Sequence, residues 1–85
     1  MFDDAGKVKT SEEWLERRNY FAEHLYLLTK TEKRVYDFYL EDKTTKEIMK
    51  AMDITENTLK YHNKNIYSKL GVSSRKQLKE IARHL

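Results

Sequence analysis

The run from Thr55 to Ser68 holds the side chains best suited to polar recognition: Thr-Glu-Asn-Thr-Leu-Lys-Tyr-His-Asn-Lys-Asn-Ile-Tyr-Ser. Amides, ammonium groups, phenols and hydroxyls recur in it, and after Glu56 no acid appears until Glu80. Wound into a helix at about 100° per residue, Ile66 and Leu70 fall within about 20° of Leu59 and make an apolar stripe flanked by His62 and Asn63. The opposite side gathers Asn57, Tyr61, Lys64 and Ser68, with Lys60 and Asn65 at its borders. Such a face can read nucleic acid. Lys donates to guanine O6/N7 or to a phosphate, Asn makes two hydrogen bonds to adenine, and a Tyr ring meets a thymine methyl. Hydroxyls and free backbone N–H groups early in a helix favour phosphate oxygens. A solvated helix face that merely lacks acids would show the same pattern, so this face alone leaves both readings open.

Other chemistries find less support. His24, His62 and His84 have no ligand spacing among them, and no His-Glu-x-x-His pattern occurs. There are no cysteines, which excludes disulfides and Cys-ligated zinc. No carboxylate pair sits in a glycine-framed or apolar context that would split an acid from a base, and no glycine loop could cradle a phosphate. The expectation is a protein without enzymatic activity, metal or cofactor.

Charge agrees with a polyanion partner. Residues 1–42 carry seven Lys/Arg against ten Asp/Glu, and residues 43–85 carry ten against four. The second half is therefore the basic one, although a Lys-rich solvated surface would give the same count. With 85 residues the chain makes one small domain. Its apolar runs are too short for a membrane span and no secretory signal opens it, so a cytoplasmic protein is expected.

The elements that must position these side chains are helices. There is no proline and only Gly6 and Gly71, too little turn chemistry for a β-rich domain. Residues 1–9 carry no pattern and are expected to fray. A first helix starts near Thr10-Ser11, with Glu12 and Glu13 in its first turn and a stripe of Trp14, Phe21, Leu25 and Leu28 edged by Leu15, Ala22 and Tyr26. A second begins at Thr31, capped by Thr29 or Thr31, with Val35, Phe38 and Tyr39 inward. A short third is capped by Thr44 or Thr45, with Ile48, Ala51 and Met52 as its apolar side. Asp53-Ile54 makes a tight break before the fourth, capped by Thr55 and stopped by Gly71. Ser73 or Ser74 caps the last, with Leu78, Ile81, Ala82 and Leu85 as its stripe. A short helix joined by a few residues to a longer one is the spacing of a helix-turn-helix.

The segment Leu28 to Leu78 resembles the DNA-binding domain of the LuxR/GerE family of bacterial transcription regulators. The matching pieces are Leu28-Thr29-Lys30-Thr31-Glu32, Thr45-Lys46-Glu47-Ile48 and Ile54-Thr55-Glu56-Asn57-Thr58-Leu59-Lys60-Tyr61-His62. Asn65-Ile66, Lys69-Leu70-Gly71-Val72 and Ser74-Arg75 follow at fixed spacing without gaps. The resemblance implies an all-α, tetrahelical helix-turn-helix domain, here Thr31–Leu40, Thr45–Met52, Thr55–Leu70 and Ser74–Leu85, with one additional N-terminal helix. Residues 1–27 would be an extension, in keeping with a piece cut from a larger regulator, and residues 28–85 the DNA-binding domain. By the same resemblance, helix 55–70 enters the major groove of double-stranded DNA. Base contacts would come from Lys60, Tyr61 and Lys64, and phosphate contacts from Lys46, Thr55, Asn57 and Thr58. Two copies would pair on DNA through helix 74–85, with RNA polymerase as a further partner. Lys30 stands where the family has proline, Asp42 and Asp53 where turn glycines are common, and Tyr61 where a small or branched residue is common. Glu32 and Glu47 match family positions and read as structural. The alternative from a different class is a protein-interaction module using the apolar face of residues 14–28, although the same side chains suit the core.

Overall fold

The computed structural model describes residues 12–85. These form five α-helices and one short 3-10 turn, with no strand among the described residues. The helices are α1 (Glu12–His24), α2 (Lys30–Leu40), α3 (Thr45–Met52), α4 (Glu56–Leu70) and α5 (Arg75–Ala82), with the 3-10 turn at Leu25–Leu27 between α1 and α2. The all-α, tetrahelical arrangement with an extra N-terminal helix is therefore present. The expected cap at Thr10-Ser11 and the frayed start at residues 1–9 lie outside the described residues.

The starts of α2 to α5 are each fixed by a side-chain oxygen that satisfies an otherwise orphaned backbone N–H. Thr29 caps α2 and Thr44 caps α3, each in a reciprocal capping box with the Glu three residues on. Glu32 Oε1 accepts from Thr29 N at 3.0 Å, and Glu47 Oε1 accepts from Thr44 N at 2.8 Å. Those bonds select Thr29 over Thr31 and Thr44 over Thr45. Helix α2 accordingly begins at Lys30, a residue earlier than expected, and α4 at Glu56, since Thr55 is its cap. Ser74, not Ser73, caps α5.

The turns are equally specific. Asp42 (φ 62°) and Asp53 (φ 54°) adopt the left-handed conformation that glycine usually supplies, and Asp is among the few residues that tolerate it. Gly71 ends α4 in the same conformation at φ 72°. Here a side chain is doubly excluded. A Cβ on Gly71 would lie 3.0 Å from the Tyr20 ring, which α1 lays across the end of α4.

Two helix ends differ from the sequence expectation. Helix α1 does not run on through Leu28. It stops at His24, whose Nδ1 turns back to within 2.7 Å of the Tyr20 carbonyl, and the chain tightens into the 3-10 turn before Leu28 becomes extended. Helix α5 stops at Ala82 rather than Leu85, because His84 N and Leu85 N bond three residues back, to Ile81 O and Ala82 O. Arg18 Nε then donates to His84 O at 2.6 Å, and Trp14 meets the His84 ring edge-on at 5.7 Å. Leu85 is exposed as a result.

One core joins all five helices: Trp14 and Phe21 from α1, Val35, Tyr36 and Tyr39 from α2, Ile48 from α3, Leu59, Ile66 and Leu70 from α4, Leu78 and Ile81 from α5, with Val72 between them. Tyr36 is buried although the periodicity placed only Val35, Phe38 and Tyr39 inward, and Phe38 is half-buried. On α3, Ala51 faces solvent and Met49 packs on the core in its stead. Each fully buried aliphatic or aromatic side chain contributes about 1.5–3 kcal/mol, so this cluster is what holds α4 in place.

Candidate nucleic-acid interface

Three stripe residues of α4, Leu59, Ile66 and Leu70, are buried, and this fixes which side of the helix is free. Asn57, Lys60, Tyr61, Lys64 and Ser68 are exposed. Tyr61 is 64% exposed, unusual for so large a ring, and it meets the His62 ring at 5.8 Å. Asn65 is half-buried, so it belongs to the border rather than to the free face. Among the described residues no ion pair engages Lys46, Lys60 or Lys64. Fifteen residues give α4 a length of about 22 Å, enough to lie along a major groove.

The N-terminus of α4 is built differently from those of α2 and α3. Thr58 stands where the other two starts have Glu. Thr55 Oγ1 accepts from Thr58 N at 3.2 Å, and the two hydroxyls lie 3.0 Å apart. One hydroxyl donates to the other, which leaves a hydroxyl proton of the pair able to point outward. No carboxylate closes this end by a capping box, and Glu56 in the first turn is exposed. Lys46 is exposed in the first turn of α3, the neighbouring helix start. The site residues thus form two groups: an outer face of Asn57, Lys60, Tyr61 and Lys64, and helix starts bearing Lys46, Thr55 and Thr58. Thr58 is half-buried and the other six are exposed.

Glu32, Glu47 and Asp42 are held by bonds within the protein, whereas Glu56 is exposed in the first turn of α4. Burial acts to raise the Glu32 carboxyl, but the Lys69 and Thr29 hydrogen bonds and the charges of Lys69 and His62 together hold it below its ordinary range. The bond to Thr44 N lowers Glu47, and Lys79 lowers Asp42. Both family-matched glutamates are therefore structural. No group of His, Asp and Glu able to hold a metal exists among the described residues.

Sequence reasoning missed the supports on the flank of α4. The Tyr39 hydroxyl donates to Asn63 Oδ1, and burial pushes that phenol far up. Arg75 lays its guanidinium 4.5 Å over the Tyr39 ring and donates to Lys43 O. The pairing of Asn63 with Tyr39, which are remote in sequence, left no local signal.

A helix with five exposed polar and cationic residues, pinned by its apolar side behind a short helix and a tight Asp53 turn, is the geometry of a helix-turn-helix. The pattern of "Bacterial regulatory proteins, luxR family" (GerE) matches residues 26–85. The chain belongs to that family. LuxR-family membership supports DNA-binding transcription regulation, and the family is not one of enzymes. Among curated proteins, the spore germination protein GerE of Bacillus subtilis (strain 168) is similar, with 47% identity over 51 residues, which cover 60% of this chain and 69% of that protein. No solved structure matches the chain. No helix among the described residues is long and apolar enough to cross a membrane.

The luxR-family match also bears on the interaction-module alternative. Phe21 is wholly buried and Trp14 nearly so, both in the chain's own core. Trp14 and Phe21 therefore serve the core, while Leu15, Tyr20, Tyr26 and Leu27 of the same segment are exposed.

Proposed function

We propose that this LuxR-family chain binds double-stranded DNA sequence-specifically, with α4 in the major groove, to regulate bacterial transcription. The observation that carries the proposal is the exposed face of Asn57, Lys60, Tyr61, Lys64 and Ser68 on α4, whose Lys60 and Lys64 make no ion pair among the described residues. Lys60, Tyr61 and Lys64 would contact bases. The Tyr61 ring would lie against a thymine methyl, and each ammonium would donate to purine O6 or N7. Lys46, Thr55, Asn57 and Thr58 would hold phosphates and set the register. Residues 28–85 would be the DNA-binding unit and 1–27 an N-terminal extension that includes α1. Two copies would pair on a two-fold related site through residues 74–85, in the cytoplasm, where RNA polymerase is the further partner.

Selection from a random duplex pool at moderate salt, followed by sequencing, tests this. The expected result is enrichment of one short motif. Retention without enrichment would reduce the account to phosphate binding, and no retention would overturn it.

A further inference from the structure

The apolar stripe of α4 leaves one freedom open. Leu59, Ile66 and Leu70 are buried along a single narrow line, and such contacts have no direction of their own. They hold the helix on the core but allow it to roll about its axis. A roll of about 20° moves a group at the 5–6 Å surface radius of a helix by about 2 Å, far more than a hydrogen bond to a base edge tolerates. The ion pair of Lys69 with Glu32 acts at the last turn, away from Lys60, Tyr61 and Lys64.

The directional hold beside those residues is a phenol from α2. Tyr39 is 2% exposed, and its hydroxyl donates to Asn63 Oδ1. The Tyr67 phenol, one turn further along α4, is hydrogen-bonded to the same hydroxyl. A hydroxyl donates and accepts, so one oxygen of α2 serves two residues of α4 that are four apart. Burial pushes the Tyr39 phenol far above its ordinary range, so it keeps its proton throughout the neutral range. The ring is held in turn: Arg75 lies 4.5 Å over its face and donates to Lys43 O. Asn63 is half-buried, three residues after Lys60 and next to Lys64, so whatever fixes its amide fixes the direction in which both point.

We propose that Tyr39, acting through Asn63, is a positioning residue for base reading: it sets the roll of α4, and so the place where Lys60, Tyr61 and Lys64 meet the bases, without itself touching DNA. This rests on the DNA-binding reading of α4. Stability alone does not call for such a pair, since apolar groups of the same shape in its place are nearly neutral or stabilising. What they lack is direction, and a satisfied buried polar pair supplies it.

The test compares the full chain with Tyr39→Phe, with Tyr39→Phe/Asn63→Leu and with Phe21→Leu, a core truncation in α1. Urea melts give stability. Titrations of the selected motif, its single-base variants and a scrambled duplex give discrimination. Tyr39→Phe strands the Asn63 amide and should lower stability, whereas the double variant removes both partners and should regain most of it. Discrimination should fall by about tenfold or more in both, the share that one well-made base contact supplies. The loss should spread over several positions of the motif, with the affinity for the scrambled duplex and the salt slope unchanged. Phe21→Leu, destabilised by its cavity, should discriminate as the wild type does. Discrimination that never falls in Tyr39→Phe, or that returns together with stability in the double variant, would overturn the proposal and leave the pair to folding alone. Equally poor discrimination by Phe21→Leu would do the same. If the wild type itself shows no motif preference, the base-reading account of α4 fails and this proposal falls with it.

Discussion

Lys69 Nζ lies 2.6 Å from Glu32 Oε1, which ties the last turn of α4 to the first turn of α2. The Glu32 side chain is 5% exposed and that of Lys69 30%, so the pair is shielded on the carboxylate side. The same Glu32 oxygen closes the capping box of α2. One buried carboxylate therefore sets both the start of α2 and the position of the last turn of α4.

This pair predicts a defined acid sensitivity. Glu32 is lowered from its ordinary value of 4.5, so its contribution is fully present above that value and is lost as pH falls through the lowered folded one. Lys69→Met leaves a buried carboxylate without its cation and should cost about 1–3 kcal/mol at neutral pH. Urea melts of both proteins at pH 7 and at acid pH measure it. The difference between wild type and variant should shrink in acid, where Glu32 is protonated in both. A difference that does not depend on pH would show that the ion pair is not the cause.

Gly71 predicts a coupling between α1 and α4. Gly71→Ala forces a left-handed alanine, at about 1–2 kcal/mol, and presses its Cβ against the Tyr20 ring. Tyr20→Ala removes the second penalty but not the first. A double-mutant cycle in thermal or urea unfolding should therefore show a cost for the pair below the sum of the single costs. Strict additivity would mean that Tyr20 does not rest on this glycine in solution.

The Asp53 turn sets the angle between α3 and α4. Asp53→Gly should leave stability within about 0.5 kcal/mol, because relief at φ 54° is offset by the added freedom of the unfolded chain. Asp53→Val should lose about 1–2 kcal/mol, since a β-branched residue resists that conformation. Differential scanning calorimetry separates the two. A tolerated valine would mean the turn is not left-handed.

Much of this was legible in the sequence because local chemistry fixed it. Thr29, Thr44 and Thr55 cap helices, Gly71 stops one, and the Leu59–Ile66–Leu70 stripe alone told which face of α4 would be free. A Glu three residues after Thr29 and Thr44 could also have chosen between the competing caps. What remained hidden depends on residues remote in sequence. The early ends of α1 and α5 follow from His24 folding back on Tyr20 and from Arg18 and Trp14 engaging His84, contacts that no periodicity encodes. The Tyr39–Asn63 and Arg75–Tyr39 supports are of the same kind. The cations of α5 recur at a four-residue spacing, but only the structure ties them to the turn before α3.

Phosphate contacts and base contacts should separate in binding data. Lys46→Ala should weaken all duplexes by about the same factor and flatten the salt slope by about one unit. Titrations of the selected motif and of a scrambled duplex across salt concentrations check this. A loss confined to the motif would reassign Lys46 to base reading.

The most direct test of base reading by α4 is the positional preference of Lys64→Ala beside that of wild type, on a library of single-base variants of the selected motif. Lys64 is exposed on the free face of α4. Its loss should cost about 1–3 kcal/mol on the motif and erase preference at one position, leaving the others intact. An unchanged preference at every position, or a uniform loss on all duplexes, would contradict a base-reading role for this face.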